Sequence, residues 1–177
     1  MLISDAYRRL NSDLHKRTIF GQRGARHAPV VLDLLAEHEA AETVLDYGCG
    51  RGTLAEALTG VKVWSYDPAI ERFASPPPPC DVVVCTDVLE HVEPECLQSV
   101  LEHLRSLTRV VAHIVIAIKP DGNKRLKDGR DPHLIVKPPE WWRGKLAEHY
   151  PAVRCVNVTN RDATFRAYPV AAALRKV

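Results

Sequence analysis

The apolar positions of this 177-residue chain fall into two kinds of run. Short, nearly unbroken blocks end in turn residues: "TVLDYG" from Thr43, "VKVWSYD" from Val61, "DVVVCTD" from Asp81 and "VVAHIVIAIK" from Val110. Between them lie segments whose apolar residues recur every three or four positions: "APVVLDLLAEHEA", "TLAEALT", "EPECLQSVLEHLRSLT" and "PEWWRGKLAEHY". The first kind predicts strands, with "DVVVCTD" apolar throughout as a strand covered on both faces would be, and the second predicts amphipathic helices. "LISDAYRRLNSDLHKR" predicts a leading helix with Ser4 as N-cap, followed by the basic, glycine-broken connector "TIFGQRGARH". Pro29 suits a first helical turn, and Gly60 suits a helix stop. "HLIVKP" reads as one more short strand, and "AVRCVNVT" with "ATFRAYPV" as a closing antiparallel pair.

Strand and helix alternate, so the expected fold class is α/β: a Rossmann-like, mostly parallel sheet with helices on both faces and an antiparallel strand pair at the C-terminus. The length suits a single domain over 1–177, with 1–28 as a helical arm and lid and 29–177 as the core.

Composition narrows the class without choosing a ligand. The 46% hydrophobic and 26% charged content is that of an ordinary globule, and a net charge of +2 neither demands nor excludes an anionic partner. No apolar run reaches the length of a membrane span, and the first residues are too polar for a signal peptide. Five cysteines, an odd number with no close ligand spacing, read as reduced thiols of a cytoplasmic protein.

Open α/β sheets bind ligands beyond the carboxyl ends of their strands. That rule selects Asp46 to Gly52, Asp67, and Asp87 to His91. In "LDYGCGRGTL" three glycines stand at alternate positions after an acid. Gly48 and Gly50 allow a tight turn and close approach of a ligand to bare backbone, and Gly52 lets the next helix pack near the strand. Asp67 ends the following strand, where a carboxylate accepts hydrogen bonds from ribose hydroxyls. A glycine turn or a solvated aspartate explains either feature alone; their common register favours a nucleoside.

"VLDYGCGRGTLAEAL" resembles the first motif of the class I S-adenosylmethionine-dependent methyltransferases. "VWSYDP" resembles their second motif, "CDVVVCTDVLEHV" their fourth strand and the segment after it, and "HLIVKPPEWWRGKL" a later segment of many small-molecule members. The pattern is also similar to short methyltransferase-like proteins of bacteria and phages. The resemblance implies S-adenosylmethionine as cofactor. It implies Asp46 near the methionine amino group, Gly48 and Gly50 beneath the methionine and ribose, Asp67 on the ribose, and Asp87 facing the methionine or the acceptor. One departure stands out. Only "PAIERFASPPPPC" separates Asp67 from Asp81, where the family fits a helix, a third strand and another helix. Four consecutive prolines build neither element, so that strand is expected to be missing. Adenine recognition then falls to Ile70, Phe73 or backbone groups, and the sheet edge left open is where a second copy could add as a homodimer.

Transfer to a hydroxyl requires a group to receive its proton, and Asp87, His91 and His133 are the candidate catalytic residues, with Glu90 beside them. Glu90, His91 and Asp87 offer too few ligands for an ion, so no metal is expected. Tyr7, Asn11 and His15 share one helix face that could meet the acceptor. His103 and His113 fit packing roles, Tyr47 a structural one, and one of Trp141 and Trp142 the core. Lys119, Lys124, Arg125, Lys127 and Arg130 suit phosphate or a solvated loop equally. The reading is a methyltransferase acting on a small-molecule, sugar-like or nucleotide acceptor, with no membrane partner. The alternatives are a non-catalytic S-adenosylmethionine- or nucleoside-binding protein and a nucleic-acid methyltransferase. A nicotinamide enzyme is disfavoured, since its last glycine falls three positions after the second, whereas Gly52 follows Gly50 by two.

Overall fold

Six strands form one sheet in the order β2-β1-β3-β4-β6-β5. The computed structural model describes residues 1–17 and 21–170, so the first three residues of the connector lie outside the described residues. The strands are β1 (Thr43–Tyr47), β2 (Lys62–Tyr66), β3 (Cys80–Thr86), β4 (Thr108–Ala117), β5 (Ala152–Val158) and β6 (Asp162–Tyr168). β2, β1, β3 and β4 run parallel, whereas β6 lies antiparallel to β4 and β5 antiparallel to β6. The expected α/β class and the closing antiparallel pair are what the structure contains.

The helices are α1 (Asp5–Arg17), α2 (Ala28–Glu37), α3 (Thr53–Ala57), α4 (Leu97–Leu107) and α5 (Pro139–Ala147). Ser4 caps α1, its hydroxyl accepting the Tyr7 amide at 3.1 Å. Side-chain alternation along the strands divides the core. Leu45, Val83, Cys85 and Ile114 face α4 and α5 with Leu101, Leu104, Trp142 and Leu146. Val44, Val82, Val84 and Val111 face α2 and α3 with Val31, Leu34, Leu54 and Leu58. Both faces are covered, which is why these strands are continuously apolar. Trp142 is fully buried and Trp141 half-buried, the division expected of adjacent helical positions.

The shortened region is as expected. A single turn of 3₁₀ helix at Glu71–Phe73 and the extended prolines carry the chain from β2 to β3, and β2 is left as the sheet edge. Trp64 is 42% exposed there. The strand expected over "HLIVKP" does not form: residues 133–138 have no regular secondary structure. β6 already occupies the open flank of β4, and the Ile135 amide donates instead to the Glu90 carbonyl at 3.0 Å. That bond fixes His133 beside the turn after β3.

Candidate active site

β2 and β3 flank β1 on opposite sides, so the sheet order reverses at β1 and the carboxyl ends of β1 and β3 open a crevice. The loop after β1 is pinned by backbone bonds: the Gly48 and Cys49 amides both donate to the Tyr66 carbonyl, at 2.7 and 3.0 Å. Gly48 and Gly50 have φ of 75° and 55°, a region that favours glycine. The glycine pattern predicts bare backbone that makes room for ligand atoms, yet much of that room is taken by protein. A Cβ on Gly48 would collide with the Val88 side chain, one on Gly50 would lie 2.7 Å from the Gly21 Cα, and one on Gly52 3.0 Å from the Phe73 ring. Gly48 and Gly50 still line the cavity, but their lack of side chains also serves tertiary packing.

Two buried acids stand behind this loop. Asp67 accepts the Gly50 amide at 3.1 Å on Oδ2 and the Ala69 amide at 2.9 Å on Oδ1. Burial raises its pKa, against the lowering effect of those two N–H groups. Asp46 Oδ2 has no hydrogen-bond partner among the described residues. Burial, then the neighbouring Asp67, push the Asp46 carboxyl up to about 7. A buried carboxylate oxygen without a donor beside a second acid is a site for a cation or an N–H donor.

The other end of the crevice lies beyond β3. Asp87 has φ 55°, uncommon for a residue with a side chain, and its carboxylate meets Arg26 at 3.5 Å and Arg23 at 4.0 Å. Sequence reasoning misses these two arginines of the connector. Their only signal is the basic character of the segment, which does not say where it docks. Glu90 is fully buried; Oε1 accepts the Ala117 amide at 3.0 Å, while Oε2 has no partner among the described residues. Burial, then Asp87, push its carboxyl up to about 8. His91 Nδ1 lies 2.7 Å from the Pro132 carbonyl, and His133 Nδ1 lies 2.6 Å from the Lys119 carbonyl. A carbonyl only accepts, so both rings carry the proton on Nδ1 and present Nε2 as the acceptor nitrogen. The rings meet edge to face with centroids 4.8 Å apart. Burial, then the neighbouring His133, lower the His91 pKa to about 3, so its imidazole is neutral.

A cavity of about 780 Å³ joins the two ends. Asp46, Gly48, Gly50, Asp67, Asp87, His91 and His133 all line it, so folding brings these seven residues to one cavity, with Glu90 buried behind them and not among its lining. Tyr7, Asn11 and His15 of α1 line it too, so the face they share is turned to the cavity and not to solvent. The arm is held over the cavity at both ends. The Ser4 amide and hydroxyl donate to Glu93 at 2.8 and 2.6 Å, and the Arg51 amide and guanidinium donate to the carbonyls of Gly21 and His15, each at 3.0 Å. Ile70 and Phe73, considered for adenine, are not among the cavity's lining; Pro68 and Ala69 are. Tyr47, His103 and His113 have packing partners: the Tyr47 hydroxyl lies 3.0 Å from His103 Nδ1, and His113 is buried against His27.

The methyltransferase-domain family model matches residues 19–163, and the chain belongs to that family, a class I fold that uses S-adenosylmethionine. Three solved structures illustrate the likeness. A DhpI–SAM–HEP complex is 18% identical with a TM-score of 0.60, over 93% of this chain and 95% of that one. Magnesium protoporphyrin IX methyltransferase from Synechocystis PCC 6803 with bound SAH is 20% identical with a TM-score of 0.59, over 82% and 83%. The N-terminal domain of EvdMO1, in the presence of SAH and D-fucose, is 14% identical with a TM-score of 0.58, over 94% and 97%. At these identities the likeness is one of fold. No curated protein sequence matches the chain. No helix among the described residues is long and apolar enough to cross a membrane.

Proposed function

We propose that the protein is an active methyltransferase that moves the methyl group of S-adenosylmethionine to a small polar acceptor, sugar-like or nucleotide in character. The observation that carries this reading is the single cavity with two chemically distinct ends. Its size lies within the range of about 300–1,000 Å³ typical of small-ligand sites. When bound, the cofactor supplies an electrophilic methyl group on a cationic sulfur. The residues fit it. Asp46 Oδ2, buried and without a partner, suits the ammonium of the methionine portion. Asp67, already oriented by the Gly50 and Ala69 amides, suits the ribose hydroxyls. Gly48 and Gly50 line the floor between them.

Asp87, His91 and His133 form the acceptor end. His133 Nε2 accepts a hydrogen bond from an acceptor hydroxyl and draws on its proton as the oxygen becomes nucleophilic, while His91, neutral and a weaker base, packs edge to face against it. α1 roofs the crevice and limits water. Much of the basic loop is engaged within the fold: Lys124 with Asp121, Arg125 with Asp131, Lys127 with Asp13 and Arg130 with Asp128. Those pairs favour a small acceptor over a polynucleotide, which needs cations available for its phosphates. The free thiols suit a reducing, cytoplasmic setting. The β2 edge with Trp64 is where a second copy would add; light scattering of the wild type and of Trp64→Lys distinguishes a dimer from a monomer.

Calorimetry with S-adenosylmethionine, its demethylated product and NAD tests the cofactor. Micromolar binding of the first two alone is expected. Transfer of labelled methyl to a panel of sugars, nucleotides and single-stranded oligonucleotides tests the acceptor. Binding with no transfer to any of them would leave a non-catalytic binding protein as the better description.

A further inference from the structure

Glu90, His91 and His133 come from two distant stretches of chain, yet one ligand-type atom from each lies within 4.8 Å of the others. Sequence alone offers Glu90 and His91 with Asp87 just before them, and does not bring in His133. The fold supplies it by tying the segment after Pro132 to the Glu90 turn through the Ile135 amide.

We propose that this cluster binds a first-row transition-metal dication of the Zn²⁺ type, through Glu90 Oε2, His91 Nε2 and His133 Nε2, with the open coordination positions turned to the acceptor end of the cavity. Three observations carry it. Glu90 is 0% exposed, and its Oε2 has neither a hydrogen-bond donor nor an ion-pair partner among the described residues. A buried, uncompensated carboxylate oxygen is costly unless something positive meets it. Both imidazoles give their Nδ1 protons to backbone carbonyls, Pro132 and Lys119. That second bond is the one a metal-binding histidine uses to fix its ring and turn Nε2 inward. The donor set of two imidazoles and one carboxylate favours transition dications over Mg²⁺ or Ca²⁺, which prefer all-oxygen sites.

Three protein ligands with further positions open is the arrangement of a catalytic rather than a structural site. An ion bonded to each ligand at about 2.0–2.2 Å would draw the three atoms somewhat closer together. At this end of the cavity the ion would take the acceptor oxygen as a further ligand and lower the pKa of its hydroxyl, whose proton would then pass to water and not to a histidine nitrogen. His91 and His133 then act on the acceptor through the ion. This consequence rests on the transferase reading; the binding itself does not.

The test therefore uses neither cofactor nor acceptor. Full-length protein stripped with a chelator and dialysed is titrated with Zn²⁺ and, separately, Co²⁺. One equivalent per chain with a micromolar or tighter dissociation constant is expected, weakened at least tenfold in both Glu90→Gln and His133→Ala. The Co²⁺-loaded wild type should show the visible absorption of a four- or five-coordinate site, a readout that needs no variant to fold. Less than one equivalent bound, affinity unchanged in both variants, or a Co²⁺ spectrum equal to that of the aqueous ion would overturn the proposal.

Discussion

Gly21 and Gly50 meet backbone to backbone: a Cβ on Gly50 would lie 2.7 Å from the Gly21 Cα and 2.8 Å from its carbonyl oxygen. The contact joins the connector to the loop at the end of β1 and is reinforced by the Arg51 amide, which donates to the Gly21 carbonyl at 3.0 Å. The arm over the cavity is thus anchored on the glycine loop after β1, and both glycines are required by a neighbour as well as by a turn.

Gly50→Ala and Gly60→Ala separate those two requirements. Both residues have positive φ, but a Cβ on Gly60 meets nothing within 4 Å. Gly60→Ala should cost about 1–2 kcal/mol, the strain of a left-handed alanine. Gly50→Ala adds a backbone collision, so its loss in chemical denaturation should be larger, with faster proteolysis of the N-terminal arm. Equal losses for the two would mean that the Gly21 contact carries no energy.

Asp67→Ala removes a carboxylate that also holds the Gly50 and Ala69 amides. Cofactor affinity should fall by about 1.5–3 kcal/mol, and two buried N–H groups lose their acceptor, at about 1–3 kcal/mol of stability each at most. Asp67→Asn keeps one acceptor oxygen and should recover part of the stability but little of the affinity. A folded Asp67→Ala protein with wild-type affinity would remove Asp67 from the ribose site.

Asp46 should make cofactor binding pH-dependent. Its folded pKa is raised to about 7, whereas in the unfolded chain a carboxyl titrates near about 4. Between those values the folded state keeps a proton that the unfolded state has lost, so this group's contribution to the stability of the free protein falls as pH rises through that window and is level above it. A ligand ammonium beside Asp46 favours the ionised carboxylate. Binding of the cofactor at pH near 6 should therefore release up to about one proton, seen as a buffer-dependent calorimetric enthalpy. Asp46→Asn should abolish the buffer dependence and weaken binding. A buffer-independent enthalpy for the wild type would show that Asp46 does not meet the cation.

His133→Ala should spare cofactor affinity to within about 0.5 kcal/mol, because the residue lies at the other end of the cavity. Turnover should fall by roughly 10²-fold or more, the typical effect of losing a group that assists proton removal. Isothermal titration and a methyl-transfer assay on the same preparation separate the two effects. Loss of affinity equal to the loss of turnover would reassign His133 to the cofactor.

The elements are legible in the sequence because each depends on short-range pattern. Unbroken apolar blocks such as "DVVVCTD" have no solvent face to mark, and α4 repeats its apolar residues at helical spacing. The missing strand is legible for the same reason, since four prolines exclude a central strand locally. Asp46, Asp67 and Asp87 stand out because the carboxyl ends of parallel strands lie on one edge whatever the side chains do. Tertiary structure alone decided what depends on distant stretches meeting. "HLIVKP" has the composition of a strand, but β6 already fills the flank of β4, so it docks on Glu90 and carries His133 to His91. The glycines of the β1 loop announce close approach without naming the neighbour, and folding brings Val88, Gly21 and Phe73 there. A sequence records which backbone positions can be bare and which acids can be buried; which atoms meet them is set by the crossing of chain segments that local patterning does not encode.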